Sequence, residues 1–264
     1  MPSYILIAAA TNNEILNLID LVEQPSATLI GGRNVISGYM NNQPVKIIIT
    51  GPALVNNVQA LTAAIENSRP GMIIQTGSAG AFKETGLNIG DISIATEEID
   101  FHLGIEPENG STILKELPFS LTVHNGRNLK SRYRLDKDLV ELACKSLQKE
   151  FENQNIKLQK GPFVTVSTIT ATDRKAKTLY RQFRPCMENM EGSGTALLAI
   201  HYGIPCLEIR SASNIVGKRN IDAWDFTLAS ERVSFAIYKF IQKNEEVISS
   251  SFLTECKNDE KRRN

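Results

Sequence analysis

The sequence has no excess of charge, no long apolar span, no paired-cysteine motif and no internal repeat or low-complexity segment. Lys plus Arg and Asp plus Glu each number 29 in 264 residues. No net field draws the chain to nucleic acid or to an anionic bilayer, so a small-molecule substrate is expected, with no nucleic-acid or membrane partner. The opening run MPSYILIAAA has no basic segment before it, and nowhere do about 18 apolar residues follow one another. A cytoplasmic location is expected. Cys144, Cys186, Cys206 and Cys256 are widely spaced, with no CxxC and no His at ligand spacing, which supports neither a zinc site nor a disulfide framework. His102, His124 and His201 are scattered, so no catalytic triad can be built and no metal is expected.

What is present is a globular composition, 42% hydrophobic and 22% charged, enough to bury a full core. One domain is expected over residues 1–250, with a polar, disordered tail over 251–264. Apolar β-branched runs alternate with segments of helical period, the pattern of an α/β protein. YILIAA (4–9) reads as the first strand and TNNEILNLIDLVE (11–23) as a helix capped by Thr11. PVKIIIT, GMIIQTG and GDISIAT read as strands, with a helix over NNVQALTAAIEN. The alternation weakens between His102 and Gln159, an excursion holding one amphipathic helix, DKDLVELACKSLQKEFE. It resumes through the strand GPFVTVSTIT, the helix DRKAKTLYRQF, MENMEG, the helix GTALLAIHYG, the strand PCLEIRSAS and a last helix from about Thr227 to Val247.

Four stretches stand at strand ends: ATNNE, QTGSAGAF, ENMEG and EIRSASNIVG. Ligands of α/β sheets bind beyond the carboxyl ends of strands, so all four can meet in one pocket. Several residues there have two readings. Glu14 completes the capping-box pattern Thr11-Asn12-Asn13-Glu14. Ser78 fits an ordinary tight turn, Arg210 a buried ion pair, Asn214 a turn residue, and Glu191 an acid favoured by a helix N-terminus. Glu188 reads as a paired or solvent-reaching acid.

TGSAGAF with NMEG and IRSASN resembles the nucleoside phosphorylase and nucleosidase superfamily, which includes methylthioadenosine/S-adenosylhomocysteine nucleosidases; the order and spacing match over about residues 3–245. FVTVSTIT, ENMEG, EIRSASNIVG and Trp224 most resemble the futalosine hydrolases of menaquinone biosynthesis. The resemblance implies a single-domain three-layer αβα fold around a central twisted mixed sheet, no cofactor, and a homodimer or higher homo-oligomer. In such a dimer the loop closing the 5′ pocket would come from the excursion after His102. It also implies roles: Glu14 as acid/base, Ser78 and Arg210 placing water and ribose, Met190 and Glu191 binding ribose, and Ile169 and Thr170 lining the base.

Related phosphorylases gather arginines around phosphate, including one at the position of Gln75, and carry a phosphate-binding loop that is absent from AAATNNE. An amide is a poor substitute for a guanidinium fork, so water is expected as nucleophile. The adenine-specific nucleosidases have Asp at the place of Asn214. An Asn amide can donate to O6 of a 6-oxo purine and accept from its protonated N7. The expected activity is therefore hydrolysis of futalosine to hypoxanthine; the alternative is an adenine-releasing nucleosidase acting on aminofutalosine, methylthioadenosine or S-adenosylhomocysteine. A nucleoside-binding sensor without turnover is a third possibility.

Overall fold

The computed structural model describes residues 3–108, 110, 113–124, 126–248 and 250; the expected disordered tail lies outside them. In chain order the first half comprises β1 (Ile5–Ala9), α1 (Leu16–Ile19), β2 (Glu23–Ile30), β3 (Arg33–Met40), β4 (Gln43–Ile49), α2 (Leu54–Asn67), β5 (Met72–Ala81) and β6 (Ile92–Asp100). The excursion contributes β7 (Thr122–His124), β8 (Arg127–Leu129), β9 (Arg132–Arg134) and α3 (Lys137–Glu152). The remainder is β10 (Leu158–Thr165), α4 (Asp173–Phe183), β11 (Met187–Asn189), α5 (Gly192–Tyr202), β12 (Cys206–Ile215) and α6 (Phe226–Lys243).

Nine of the strands run through one mixed sheet in the order β11-β10-β6-β12-β5-β1-β4-β3-β2. β11 also pairs with β5, so five strands close on themselves at one end of the sheet. β1 lies between β4 and β5, parallel to both, and all five of its residues are buried. This is why its sequence is a continuous apolar run rather than an alternation. Helices α2 and α5 pack on each other, while α6 packs against α1, α3, β5 and β12. Local chemistry sets the helix limits. Asp136 caps α3 by accepting from the N–H groups of Asp138 and Leu139, and Val140, Ala143, Leu147 and Phe151 form its buried stripe. Thr172 caps α4 in the same way, accepting from Lys175 N at 3.3 Å.

One expectation changes at the N-terminal end. The helix over residues 11–23 is only a 3₁₀ turn, Asn12–Glu14, followed by the single turn α1. Ile15 and Leu18 are fully buried, but Leu16 and Leu21 are 52% and 42% exposed, so the apolar face is narrower than its spacing suggested. The chain leaves helix before Pro25, which bars αR geometry at Gln24, here at φ 50°. From Glu23 it enters a β2–β3 hairpin. The turn is Gly31-Gly32 at φ 57° and 76°, and Asn41-Asn42 at φ 48° and 62° closes β3 to β4. Positive φ at both central residues is the two-residue hairpin turn that suits twisted strands.

The excursion is not wholly outside the sheet. β7 and β8 form a separate hairpin, but β9 pairs antiparallel with β6 through Glu98↔Tyr133. No helix among the described residues is long and apolar enough to cross a membrane.

Candidate active site

A cavity of about 400 Å³ opens where β1, β5, β11 and β12 end, a size suited to a small molecule. Its lining includes Glu14, Ser78, Ile169, Thr170, Met190, Glu191 and Asn214. Every site residue expected from the sequence is thus in its wall except Arg210.

Glu14 is held by both of its oxygens. Oε1 accepts from Ser78 Oγ at 2.9 Å and Ser78 N at 3.1 Å, and Oε2 accepts from Thr11 N at 3.0 Å. The capping contact occupies one oxygen, while the other meets Ser78 on β5 at the cavity wall. The contact with β5 depends on Gly77, at φ 138°, where a Cβ would lie 2.9 Å from Glu14 Oε1.

Arg210 lies behind the wall, 1% exposed. Its Nη1 donates to Ser78 O at 3.1 Å, its Nη2 to Glu191 Oε2 at 3.2 Å and its Nε to Glu208 Oε1 at 2.8 Å. Burial opposes its charge, but the carboxylates of Glu208, Glu191 and Glu14 outweigh burial and raise its pKa. The ion-pair reading describes its contacts, and it acts on the cavity through Ser78 and Glu191. The second Glu191 oxygen accepts from Ala53 N at 3.0 Å. Ala53 stands at φ 74°, an unusual conformation for a residue with a Cβ, and in it the N–H meets Glu191 at the start of α2.

Behind Arg210 lies a carboxyl pair that sequence reasoning missed. Glu98 and Glu208 are both buried, at 0% and 1% exposed. Burial and the Glu208 charge push Glu98 well above the usual carboxyl range; burial also raises Glu208, opposed by Arg210. Both acids are thus pushed toward the protonated form, and only Glu208 has a guanidinium beside it to oppose the shift. Glu98 accepts from Asn189 Nδ2 at 2.7 Å and Thr165 Oγ1 at 2.6 Å. Asn189 Oδ1 in turn accepts from Glu191 N and Gly192 N, which fixes the start of α5 and with it Glu191. The members come from β6, β10, β11 and β12, and no local motif announces them.

The opposite wall is built around Gly80. Asn214 on β12 and Glu188 on β11 are both register partners of Gly80, one on each side. Ser213 Oγ donates to Asn214 Oδ1 at 2.9 Å, which fixes the amide; an added Cβ on Gly80 would lie 3.2 Å from Asn214 Nδ2. Glu188 is not a solvent-reaching acid. It is 7% exposed, lines the cavity and accepts from Thr170 N at 3.0 Å, because pairing of β11 with β5 turns it inward. Val166, Val216, Trp224, Phe226 and Arg219 complete this side and the rim, with Arg219 4.8 Å over the Trp224 ring.

Gln75 does not line the cavity. It is fully buried, and its Oε1 accepts from Asn57 Nδ2 at 3.1 Å and Thr195 Oγ1 at 2.6 Å. Among the described residues no group of three or more His, Cys, Asp or Glu side chains is placed to hold a metal ion.

An acid beside a hydroxyl, a second acid clamped by a guanidinium, and a floor flanked by an amide and a carboxyl suit a small polar ligand. Known proteins share the fold and much of the sequence order. A 5′-methylthioadenosine/S-adenosylhomocysteine nucleosidase of Bacillus cereus (strain B4264) is 26% identical over 222 residues, 84% of this chain and 90% of its own length. Two solved nucleosidase structures superpose closely. One, from Helicobacter pylori with butyl-thio-DADMe-Immucillin-A, has a TM-score of 0.78 at 19% identity over 92% of this chain and 99% of its own. The other, from Colwellia psychrerythraea 34H with adenine, has a TM-score of 0.77 at 23% identity over 91% and 95%. Residues 4–250 match the Phosphorylase superfamily, and the chain belongs to that family.

Proposed function

We propose that the protein is an N-ribosyl hydrolase of 5′-modified purine nucleosides. The observation that carries this reading is the hydrogen-bonded chain Glu14–Ser78–Arg210–Glu191 running along one side of the cavity. Glu14 takes a proton from the attacking water, with Ser78 fixing its carboxylate. As the bond between C1′ and N9 breaks, its electron pair leaves with the purine, which takes up one proton from solvent water, and positive charge develops on the ribose ring. Glu191, with both oxygens oriented by Ala53 N and Arg210, binds the ribose hydroxyls beside Met190 and stabilises that charge. The water oxygen then joins C1′. Arg210 is a positioning residue, because it reaches the site only through its neighbours. Water is favoured over phosphate because the relatives that the chain resembles are nucleosidases; Gln75, at the place of a phosphorylase arginine, lies outside the cavity and gives no support either way.

Two base classes have support. Similarity to methylthioadenosine/S-adenosylhomocysteine nucleosidases supports release of adenine from methylthioadenosine, S-adenosylhomocysteine or aminofutalosine. Asn214 supports a 6-oxo purine and hence futalosine: Ser213 occupies the amide oxygen, leaving Nδ2 only a long 3.4 Å bond to Ile215 O. That nitrogen is a donor suited to O6.

The test is incubation with futalosine, aminofutalosine, methylthioadenosine, S-adenosylhomocysteine and inosine, followed by chromatography of the bases. Preferential hypoxanthine release from futalosine supports the second class and preferential adenine release supports the first. No base from any substrate, with folded protein, overturns the hydrolase reading and leaves a binding role.

A further inference from the structure

Three carboxyls line the cavity, those of Glu14, Glu188 and Glu191, but only one cationic side chain does, that of Arg219. Arg219 is exposed, and among the described residues it forms no ion pair; its guanidinium lies 4.8 Å over the Trp224 ring. The acids on neighbouring segments are engaged elsewhere. Asp173 accepts from Lys218 N at 2.8 Å and Asp225 from Leu228 N at 2.8 Å. The loop that carries Arg219 is tied at both ends, since Val216 N donates to Ala81 O and Asp225 N to Ser213 O, each at 2.9 Å. A guanidinium held over an aromatic ring at the cavity wall, with no acid beside it, leaves its N–H groups to water or to a ligand.

The surroundings give the chemistry of that ligand. Ile215 and Phe226, both exposed, line the cavity together with Trp224, so the wall near Arg219 is apolar apart from its charge. The three acids disfavour an anion elsewhere in the cavity. With the base and the ribose hydroxyls bound inside, C5′ is the position from which a substituent can extend to the rim. We propose that Arg219 and Trp224 form a subsite for a 5′ substituent that has an apolar body and ends in a carboxylate. This rests on the nucleoside reading of the cavity, but not on which purine is released. The apolar body covers Trp224 and Ile215, and the carboxylate accepts charge-assisted hydrogen bonds from the guanidinium.

The experiment uses two nucleosides that differ only at the end of a 5′-thioalkyl chain, one a carboxylate and the other its methyl ester, each made with hypoxanthine and with adenine. Values of kcat/KM are measured for the wild type, Arg219→Gln and Arg219→Lys. The wild type should prefer the acid about 5- to 20-fold, between the effect of an exposed ion pair and that of a charged hydrogen bond. High salt should shrink this preference. It should vanish in Arg219→Gln and survive in part in Arg219→Lys, which keeps the charge but loses the fork. An arginine that only packs the loop would affect acid and ester alike, and an unchanged ratio in Arg219→Gln overturns the proposal. So does a wild type that does not prefer the acid. If neither nucleoside releases its base, the hydrolase reading fails by itself, and equilibrium binding of the same pair decides the subsite: tighter binding of the acid that is lost in Arg219→Gln supports it, and equal binding overturns it.

Discussion

Glu14→Gln separates the chemical role of Glu14 from its capping role, because the two use different oxygens. Ser78 N–H and Oγ address Oε1, and Thr11 N–H addresses Oε2. A glutamine has one acceptor oxygen. Directed at Ser78 it preserves the contact with β5, and its NH₂ then faces the Thr11 N–H. Thr11 is exposed, so water can take over that donor. The stability cost should therefore sit near the lower end of the roughly 1–3 kcal/mol for an unpaired group. The catalytic cost is larger, since the amide cannot take the water proton. Loss of a general base lowers the rate roughly 10²- to 10⁴-fold, about 3–5 kcal/mol of activation free energy. Base release followed by chromatography gives kcat, and a melting curve with a nucleoside-binding titration shows whether fold and binding persist. A variant with near wild-type turnover would refute the reasoning and leave Glu14 as a helix cap.

Glu191→Gln should depress kcat more than it weakens binding, because the lost charge acts most strongly on the developing cation; an effect on KM alone would remove that role. Asn214→Asp should narrow or invert the preference between futalosine and aminofutalosine, and an unchanged ratio of specificity constants in an active variant would show that Asn214 does not read the base. Gly77→Ala should impair turnover, since the new Cβ would meet Glu14 Oε1 at 2.9 Å in a backbone conformation at φ 138°; full activity would show that the carboxylate can move without consequence. Glu98 binds its proton more tightly folded than unfolded, because burial and the Glu208 charge raise it well above 4.5. Its contribution to stability is complete below the unfolded pKa and is lost as pH rises toward the folded one. The loss is about 1.4 kcal/mol per pH unit for one proton. Glu98→Gln, which can donate to Glu208 without ionising, should flatten that slope in denaturant titrations above pH 5; an identical slope would argue against a protonated Glu98.

Elements whose identity is local were legible in the sequence. The apolar run of β1 and the capped amphipathic patterns of α3 and α4 could be read within a dozen residues each. The β2–β3 hairpin could have been found from Gly31-Gly32 between β-branched runs, but helical spacing through Val22 masked it, and only Pro25 argued against a continuing helix. The meeting of Glu14, Ser78, Glu191 and Asn214 at one cavity followed from their places at strand ends, while the roles expected of them came from the resemblance. What remained hidden depends on strand pairing. Nothing near Glu98 or Glu208 shows that β6 and β12 run antiparallel side by side, and nothing near Glu188 shows that β11 closes onto β5 at Gly80. Arg210 was placed with the catalytic residues by resemblance, but the sequence could not show that it stands one layer behind them.

The central claim is that water, activated by Glu14, cleaves a purine nucleoside in this cavity. The most direct measurement is a reaction in isotopically labelled water with phosphate present, using whichever nucleoside of the panel releases base fastest, with mass spectrometry of the sugar product. The account predicts a free sugar carrying one labelled oxygen at C1′ and a rate independent of phosphate. A ribose 1-phosphate product, or release of base that requires phosphate, would contradict it.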